Sequence, residues 1–337
     1  MSVKVKFWGV RGSVPAPLTS ADVEKKVLDA LCRYGVSQES PFRHRMPNEI
    51  VAAMRQEQPL TYGGNTSCVE VRDDKNIFVL DMGTGLRPFG NSLFPELMKQ
   101  RGIEVCFITS HVHWDHIQGF PFFGPLYLSK TKGFKNAWHF LGGTEWQKTA
   151  EACLRGQMDP PTFPVSWKKI SRQTHRMTFQ SMTDGLSLST KDGGPILTFG
   201  ELNHPQETYG VRFEFPGGPI VVYTTDNEPH DPLHPTPTLL ALAKDADIWI
   251  TDCQYTQHQY HGIEGGVTRY NWGHSYPEAV AATALQANAK HVILFHHDPA
   301  SSDEQISNMR VHTEQLIREG GGQQKVSAAW EGLELTI

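Results

Sequence analysis

Three imidazoles and a carboxylate fall within one short stretch, His111-Val112-His113-Trp114-Asp115-His116, directly after the apolar run from Val105 to Thr109. Packing a core does not call for such residues, whereas imidazole nitrogen and carboxylate oxygen are the usual ligands of zinc and similar divalent ions. At this spacing His111 and His113 can reach one ion, while Asp115 and His116, projecting elsewhere from a turn, can reach a second. A polar, His-rich surface loop is the competing reading of the stretch alone. A dinuclear hydrolytic site takes about seven protein ligands and leaves room for a water between the ions. His204 follows the strand-like run from Ile196 to Phe199 and can complete the first set. Asp226 can bridge, and His296 can complete the second set.

Each of these has a plainer reading. His204 alone is an ordinary loop histidine. Asp226, followed by Asn227-Glu228-Pro229, fits a turn or cap. Of the adjacent His296 and His297, one fits a core histidine satisfied by a hydrogen bond. His230, His234, His258 and His261 lie in polar segments and read as surface residues.

The elements that must position the candidates share one form. Ile77 to Leu80 runs into Asp81, and Val105 to Thr109 stops just before His111. Pro219 to Thr225 runs into Asp226, Ala246 to Thr251 into Asp252, and His291 to Phe295 into His296. Unbroken apolar runs indicate strands buried on both faces in a sheet covered by helices. Ligand-type residues just past the carboxyl ends of such strands are where open α/β sheets place their sites. Residues Val3 to Trp8 alternate instead, as a half-exposed strand does.

Between the strands, helices are expected at 88–100, 145–154 and 238–243. Ser275-Tyr276-Pro277-Glu278 reads as a capping box that opens a helix reaching about Asn288 and holds His274 just before its start. Ser302 to Gln305 opens the last helix, which Gly320 to Gly322 closes. Residues 159–164 and 183–194 read as loops. From 19 to 58 the pattern is helical, with Val23, Val27, Leu28 and Leu31 on one face behind Ser20 and a second helix at 48–56. No internal repeat and no linker divides the chain, so residues 1–337 are expected to form a single domain.

Composition sets bounds. The 337 residues are 39% hydrophobic and 20% charged, values of a globular protein. A net charge of −5 leaves no electrostatic footprint for long nucleic acid, while the 16 histidines point towards metal. Five widely spaced cysteines form no CxxC pair and suggest neither a zinc ribbon nor a disulfide framework. The opening residues read as a strand rather than a signal peptide. No apolar run approaches the roughly 18 residues of a membrane span. The expected setting is a reducing cytoplasm, with no membrane partner. A homodimer is expected only on the general frequency of symmetric assemblies.

The motif His111-x-His113-x-Asp115-His116 resembles the signature of the metallo-β-lactamase-fold hydrolases, and the likeness extends in order along the chain. Leu80-Asp81-Met82-Gly83-Thr84-Gly85 resembles the family's first motif, whose aspartate supports the metal loop. His204 with Tyr209-Gly210 is similar to its third motif, and Tyr223 to Asp226 to its fourth. The run ending in His296 resembles the strand that carries the last ligand. Gly273-His274-Ser275 resembles the segment bearing a catalytic histidine in the phosphodiesterase branch. Phe7 to Ser13 and Tyr62 to Ser67 are similar to a bacterial group near the cyclic-nucleotide and cyclic-phosphate phosphodiesterases. That group is more distantly near the tRNA 3′-processing endonucleases.

The resemblance implies an α/β fold, a four-layer αββα sandwich with a helical insertion near residues 19–58. It implies two divalent metal ions, Zn2+ or Mn2+, on His111, His113, Asp115, His116, His204, Asp226 and His296, and a small phosphodiester as substrate. The catalytic residues would be His274, Asp115 and Asp252. His274 would protonate the leaving alkoxide, Asp115 would orient the nucleophile, and Asp252 would fix a histidine tautomer. As a strand-end turn residue, Asp252 has an equally good plain reading. The chain lacks the basic arm and proline-lysine motif of the tRNA-processing enzymes, which disfavours endoribonuclease activity. Hydrolysis of a lactone, thioester or β-lactam, and a metal-bearing non-catalytic sensor, are the alternative readings.

Overall fold

A computed structural model of the chain describes residues 2–32, 46, 48–49, 51–52, 59–143, 153–158, 160–190, 193–263 and 266–337. Val5 and Phe7 point inward from β1 (Lys4–Gly9) while Lys4 and Lys6 point out, the period of a strand covered on one side. β1 pairs antiparallel with β2 (Cys68–Arg72), and β2 with β3 (Ile77–Leu80). From β3 the pairing becomes parallel through β4 (Glu104–Ile108), β5 (Ala137–Gly142) and β6 (Arg176–Ser181).

A second sheet repeats the scheme. β7 (Ser187–Ser189), β8 (Ile196–Glu201), β9 (Tyr209–Glu214) and β10 (Ile220–Thr224) are antiparallel neighbours. β11 (Ile248–Asp252), β12 (His291–Phe295) and β13 (Lys325–Ala328) then continue in parallel. β14 (Glu334–Thr336) returns to pair with β1. Among the described residues both sheets have seven strands, three antiparallel pairings followed by three parallel ones.

The two sheets bury one core between them, in which Val5, Phe7, Val69 and Phe78 meet Phe199, Val211, Phe213 and Phe295. Helices cover the outer faces. α1 (Ser20–Ala30) precedes β2, and α2 (Leu86–Gln100) lays Leu86, Phe89, Leu93 and Leu97 over Val79, Val105 and Phe107. Each such side chain contributes about 1.5–3 kcal/mol by leaving water. After the short α3 (Trp114–Ile117) and α4 (Trp167–Gln173), the second sheet is covered by α5 (Pro237–Ala243), then, beyond α6 (Gln257–His261), by α7 (Pro277–Ala287) and α8 (Asp303–Glu319). The order helix, sheet, sheet, helix is the expected α/β four-layer sandwich.

Several local expectations change. The cap of α1 is Thr19 rather than Ser20, closed by a reciprocal box with Asp22. Its apolar stripe of Val23, Val27, Leu28 and Leu31 is exposed among the described residues. Most of the helices expected at 48–56 and 145–154 lies outside the described residues; 48–49, 51–52 and 153–158 are helical. The segment 183–194 is not all loop, since Leu188 turns inward and Ser187 to Ser189 pair with β8.

The capping box at Ser275 does not form. Tyr276 is the N-cap and Pro277 opens the helix, because the Ser275 carbonyl instead accepts from Gln254 and Tyr255 N–H. Glu278 turns to His312, whose Nε2 lies 2.9 Å away. Among the described residues no helix is long and apolar enough to cross a membrane.

Candidate metal centre

Five strands, β3, β4, β8, β10 and β12, deliver the site from their carboxyl ends, and β11 adds its own terminal carboxylate. After β4 the chain bends at Ser110 and runs to His113, which is the N-cap of α3, and Asp115 and His116 sit within that short helix. The passage from that segment into the helix aims the two pairs in different directions. Asp81, Asp226 and His296 each take a left-handed backbone, with φ of 62°, 55° and 60°. Aspartate tolerates this conformation well. For a histidine it costs on the order of 1–3 kcal/mol, and such cost collects at functional sites. In each case the reversal turns the side chain back across the strand end.

Two groups of donor atoms result. In the first, His111 Nε2 lies 3.0 Å from His113 Nδ1, which lies 3.1 Å from His204 Nε2. Asp226 Oδ2 is 3.6 Å from His111 Nε2 and 3.9 Å from His204 Nε2. In the second, His116 Nε2 and His296 Nε2 are 3.2 Å apart, and Asp115 Oδ2 is 3.2 and 3.1 Å from them. The other oxygen of Asp226, Oδ1, is 3.4 and 3.3 Å from the same two nitrogens. Asp226 therefore offers one oxygen to each group.

Tertiary partners fix which ring nitrogen is free. His116 Nδ1 donates to Asp81 Oδ2 at 2.8 Å, His296 Nδ1 to Gln254 Oε1 at 2.8 Å, and His204 Nδ1 to the Gly273 carbonyl at 3.0 Å. His111 Nδ1 donates to Ser110 Oγ at 3.0 Å, and that hydroxyl donates to Asp81 at 2.9 Å. With Nδ1 committed, each Nε2 presents a lone pair inward. With these rings neutral, the second group brings together two imidazole lone pairs and two carboxylate oxygens with no proton among them. Such a set is repulsive unless a cation sits within it, and it suits a divalent ion.

Without a cation, a proton on an imidazole is what offsets the carboxylates. Burial pushes the His116 imidazolium down, but Asp115, Asp226 and Asp81 more than offset this and raise its pKa well above the ordinary value. Burial raises the Asp226 carboxyl, yet His296, His116 and His111 hold it well below the carboxylate range.

All seven expected ligands come together here, and His274 and Asp252 stand beside them. The His274 ring stacks on His296 with centroids 5.0 Å apart, and its Nδ1 lies 2.8 Å from Asp252 Oδ2. Both readings of Asp252 are present: Oδ1 accepts from Gln254 N–H at 3.0 Å, as a strand-end turn residue does, while Oδ2 holds the His274 imidazole. Asp81 is fully buried and accepts from Ser110 N, Ser110 Oγ, His116 Nδ1 and Tyr223 Oη. His297 turns away and donates Nε2 to the Ala329 carbonyl, the plain core reading. His234 is exposed beside Asp231, and His230 touches Asn203 rather than the donor groups.

Sequence reasoning gave no role of their own to Ser13, Ser110, Gln254 and Tyr223. Gln254 sits just past the end of β11, the kind of position that signalled the others. Ser13 N, 2.7 Å from Asp115 Oδ2, had no chemical signal, since it acts through its backbone.

Two facing mixed sheets with His and Asp clusters at one rim define the metallo-β-lactamase fold. The family model described as beta-lactamase superfamily domain matches residues 76–297, and the chain belongs to that family. No curated protein matches its sequence. Among solved structures it is similar to the metallo-beta-lactamase fold protein YhfI from Bacillus subtilis, with 16% identity, coverage of 100% of this chain and 99% of that one, and a TM-score of 0.60. A diphosphatase from the PhnP family is 14% identical, with 100% and 98% covered and a TM-score of 0.59. Unliganded yeast PDE1 is 13% identical, with 99% of each chain covered and a TM-score of 0.61. At these identities the likeness is one of fold.

Proposed function

We propose that this protein hydrolyses phosphodiester bonds with the help of two divalent ions, zinc or manganese, and that its substrate is a small cyclic nucleotide or cyclic phosphate. The observation that carries the reading is the Asp252–His274 pair. Asp252 holds the Nδ1 proton at 2.8 Å, so Nε2 is the ring atom left for a substrate. Burial pulls the imidazolium down, but Asp252, with Asp226 and Asp115, raises it to about 9. A protonated imidazole beside the donor groups is suited to giving its proton to a leaving alkoxide. Hydrolases of acyl carbon on the same scaffold need no histidine at 274.

In this reading His111, His113 and His204 hold one ion, Asp115, His116 and His296 the other, and Asp226 faces both. Bound divalent ions supply a water acidic enough to exist as hydroxide near neutrality, and positive charge beside the phosphoryl oxygens. Asp115 orients the nucleophile. His274 protonates the leaving oxygen, and Asp252 keeps its ring and tautomer in place. One structural relative is a diphosphatase, so phosphate chemistry occurs on this fold. The five cysteines are all free thiols, in keeping with a reducing cytoplasm.

The test is metal analysis of the purified protein with turnover of bis(p-nitrophenyl) phosphate and a panel of cyclic nucleotides. Turnover that falls about 10²–10⁴-fold in His274→Ala supports the assignment. Protein with two bound ions that cleaves no diester refutes it.

A further inference from the structure

The turn Val10-Arg11-Gly12-Ser13 lies far from the ligand motif in sequence, yet it closes over one side of the donor groups. Val10 and Arg11 N–H both donate to the Asn65 carbonyl at 2.9 Å. On the other side Gly12 N–H donates to the His297 carbonyl at 3.0 Å, and His297 N–H to the Val10 carbonyl at 2.9 Å. The turn is thus strapped between the 63–66 loop and the end of β12, directly beside His296.

Each of its last three residues has a distinct role. Ser13 takes a left-handed backbone, φ 60°, which points its N–H at Asp115 Oδ2, 2.7 Å away. That oxygen also faces His116 and His296. Gly12 has no room for a side chain: a Cβ would lie 2.4 Å from His296 Cε1 and 2.5 Å from its Nδ1. Arg11 is only 4% exposed. Its Nε donates to the Gly63 carbonyl at 2.8 Å, and one terminal nitrogen donates to the Asp298 and Ser301 carbonyls at 2.9 Å each. A planar fork reaches acceptors on separate loops at fixed angles, which an ammonium cannot do.

We propose that this turn is part of the metal centre. Arg11 is a positioning residue that holds Ser13 N–H on Asp115 and Gly12 against His296, and so sets the donor group of Asp115, His116 and His296 without touching an ion. The proposal rests on the ligand assignment above. It goes further in dividing the site: among the described residues the turn hydrogen-bonds to Asp115 of this group and to none of His111, His113 and His204. Loss of a group that orients a metal ligand typically weakens metal binding 10–100-fold.

The experiment is zinc titration of the full-length protein against a chromophoric chelator, for wild type, Arg11→Lys and Gly12→Ala, with far-ultraviolet circular dichroism to establish that each variant is folded. The expected result is a folded variant in which one ion is held at least tenfold more weakly while the other is held as in wild type. Retention of both ions at wild-type affinity would overturn the proposal. So would parallel weakening of both ions with a lowered melting temperature, the result of a merely structural strap. Wild type that binds two ions but cleaves no diester would end the phosphodiesterase reading, and the titration would still decide this one. Wild type that binds no ion would end both.

Discussion

Asp252 Oδ2 lies 2.8 Å from His274 Nδ1, and both groups are buried beside the donor cluster. The carboxylate ends β11 and the imidazole precedes α7, so two rigid elements fix the pair. An amide at 252 would keep the shape and lose the charge. Asp252→Asn is expected to lower kcat for a diester about 10–100-fold, the usual cost of losing an orienting partner. His274→Ala should cost more, and the double variant should be no worse than His274→Ala alone. Steady-state kinetics on the three variants check this, and additive losses would separate the two residues.

Metal removal should be visible in stability. Ions that bind only the folded chain stabilise it by mass action, about 2.7 kcal/mol for one site at a hundredfold excess over Kd. Chelator-treated protein is expected to melt at a lower temperature and to recover on adding zinc. Asp226 offers an oxygen to each donor group. In Asp226→Ala the zinc-induced rise should therefore fall to less than half, as read by calorimetry with and without zinc.

Asp81 and Tyr223 give a graded pair. The carboxylate accepts four hydrogen bonds with no access to water. Asp81→Ala strands those donors and is expected to cost roughly 3–5 kcal/mol. Tyr223→Phe removes only the 2.7 Å phenol contact and should cost about 1–2 kcal/mol. Urea unfolding of both variants gives the comparison, and equal losses would show that Asp81 is not the hub.

His291 predicts a pH dependence remote from the site. It opens β12 with Nε2 2.9 Å from Ser327 Oγ, and burial, aided by Lys325, lowers its pKa to about 4. The unfolded chain binds a proton near the ordinary pKa of about 6.5. Because the folded value is the lower, stability from this group is complete above about 6.5 and is lost as pH falls towards 4. After discounting for partial exposure, the loss should be about 1–2 kcal/mol. His291→Gln should reduce the difference in unfolding free energy between pH 7.5 and pH 4.5 by that amount. An unchanged difference would mean that the ring stays neutral for another reason.

Residue types and hydrophobic patterning were enough to give the donor types and their places on strands. His111 to His116 is local, and the runs into Asp81, Asp226, Asp252 and His296 mark strand ends through hydrophobicity, because a strand buried on both faces is predominantly apolar until it ends. The parallel neighbours β10, β11 and β12 then carry those ends to one rim. Only the tertiary structure decided the partners. Asp252 finds His274 across 22 residues, and Asp81 finds Tyr223 across 142. A hydrogen bond depends on separations near 3 Å, which follow from register and from reversals such as the left-handed φ at Asp226 and His296. The same limit explains the other differences. Ser275 had the residues of a capping box, but its carbonyl was drawn to the loop after β11. The stripe on α1 had the period of a buried face, yet among the described residues it stays exposed, since periodicity states which residues can be covered and only packing supplies the cover.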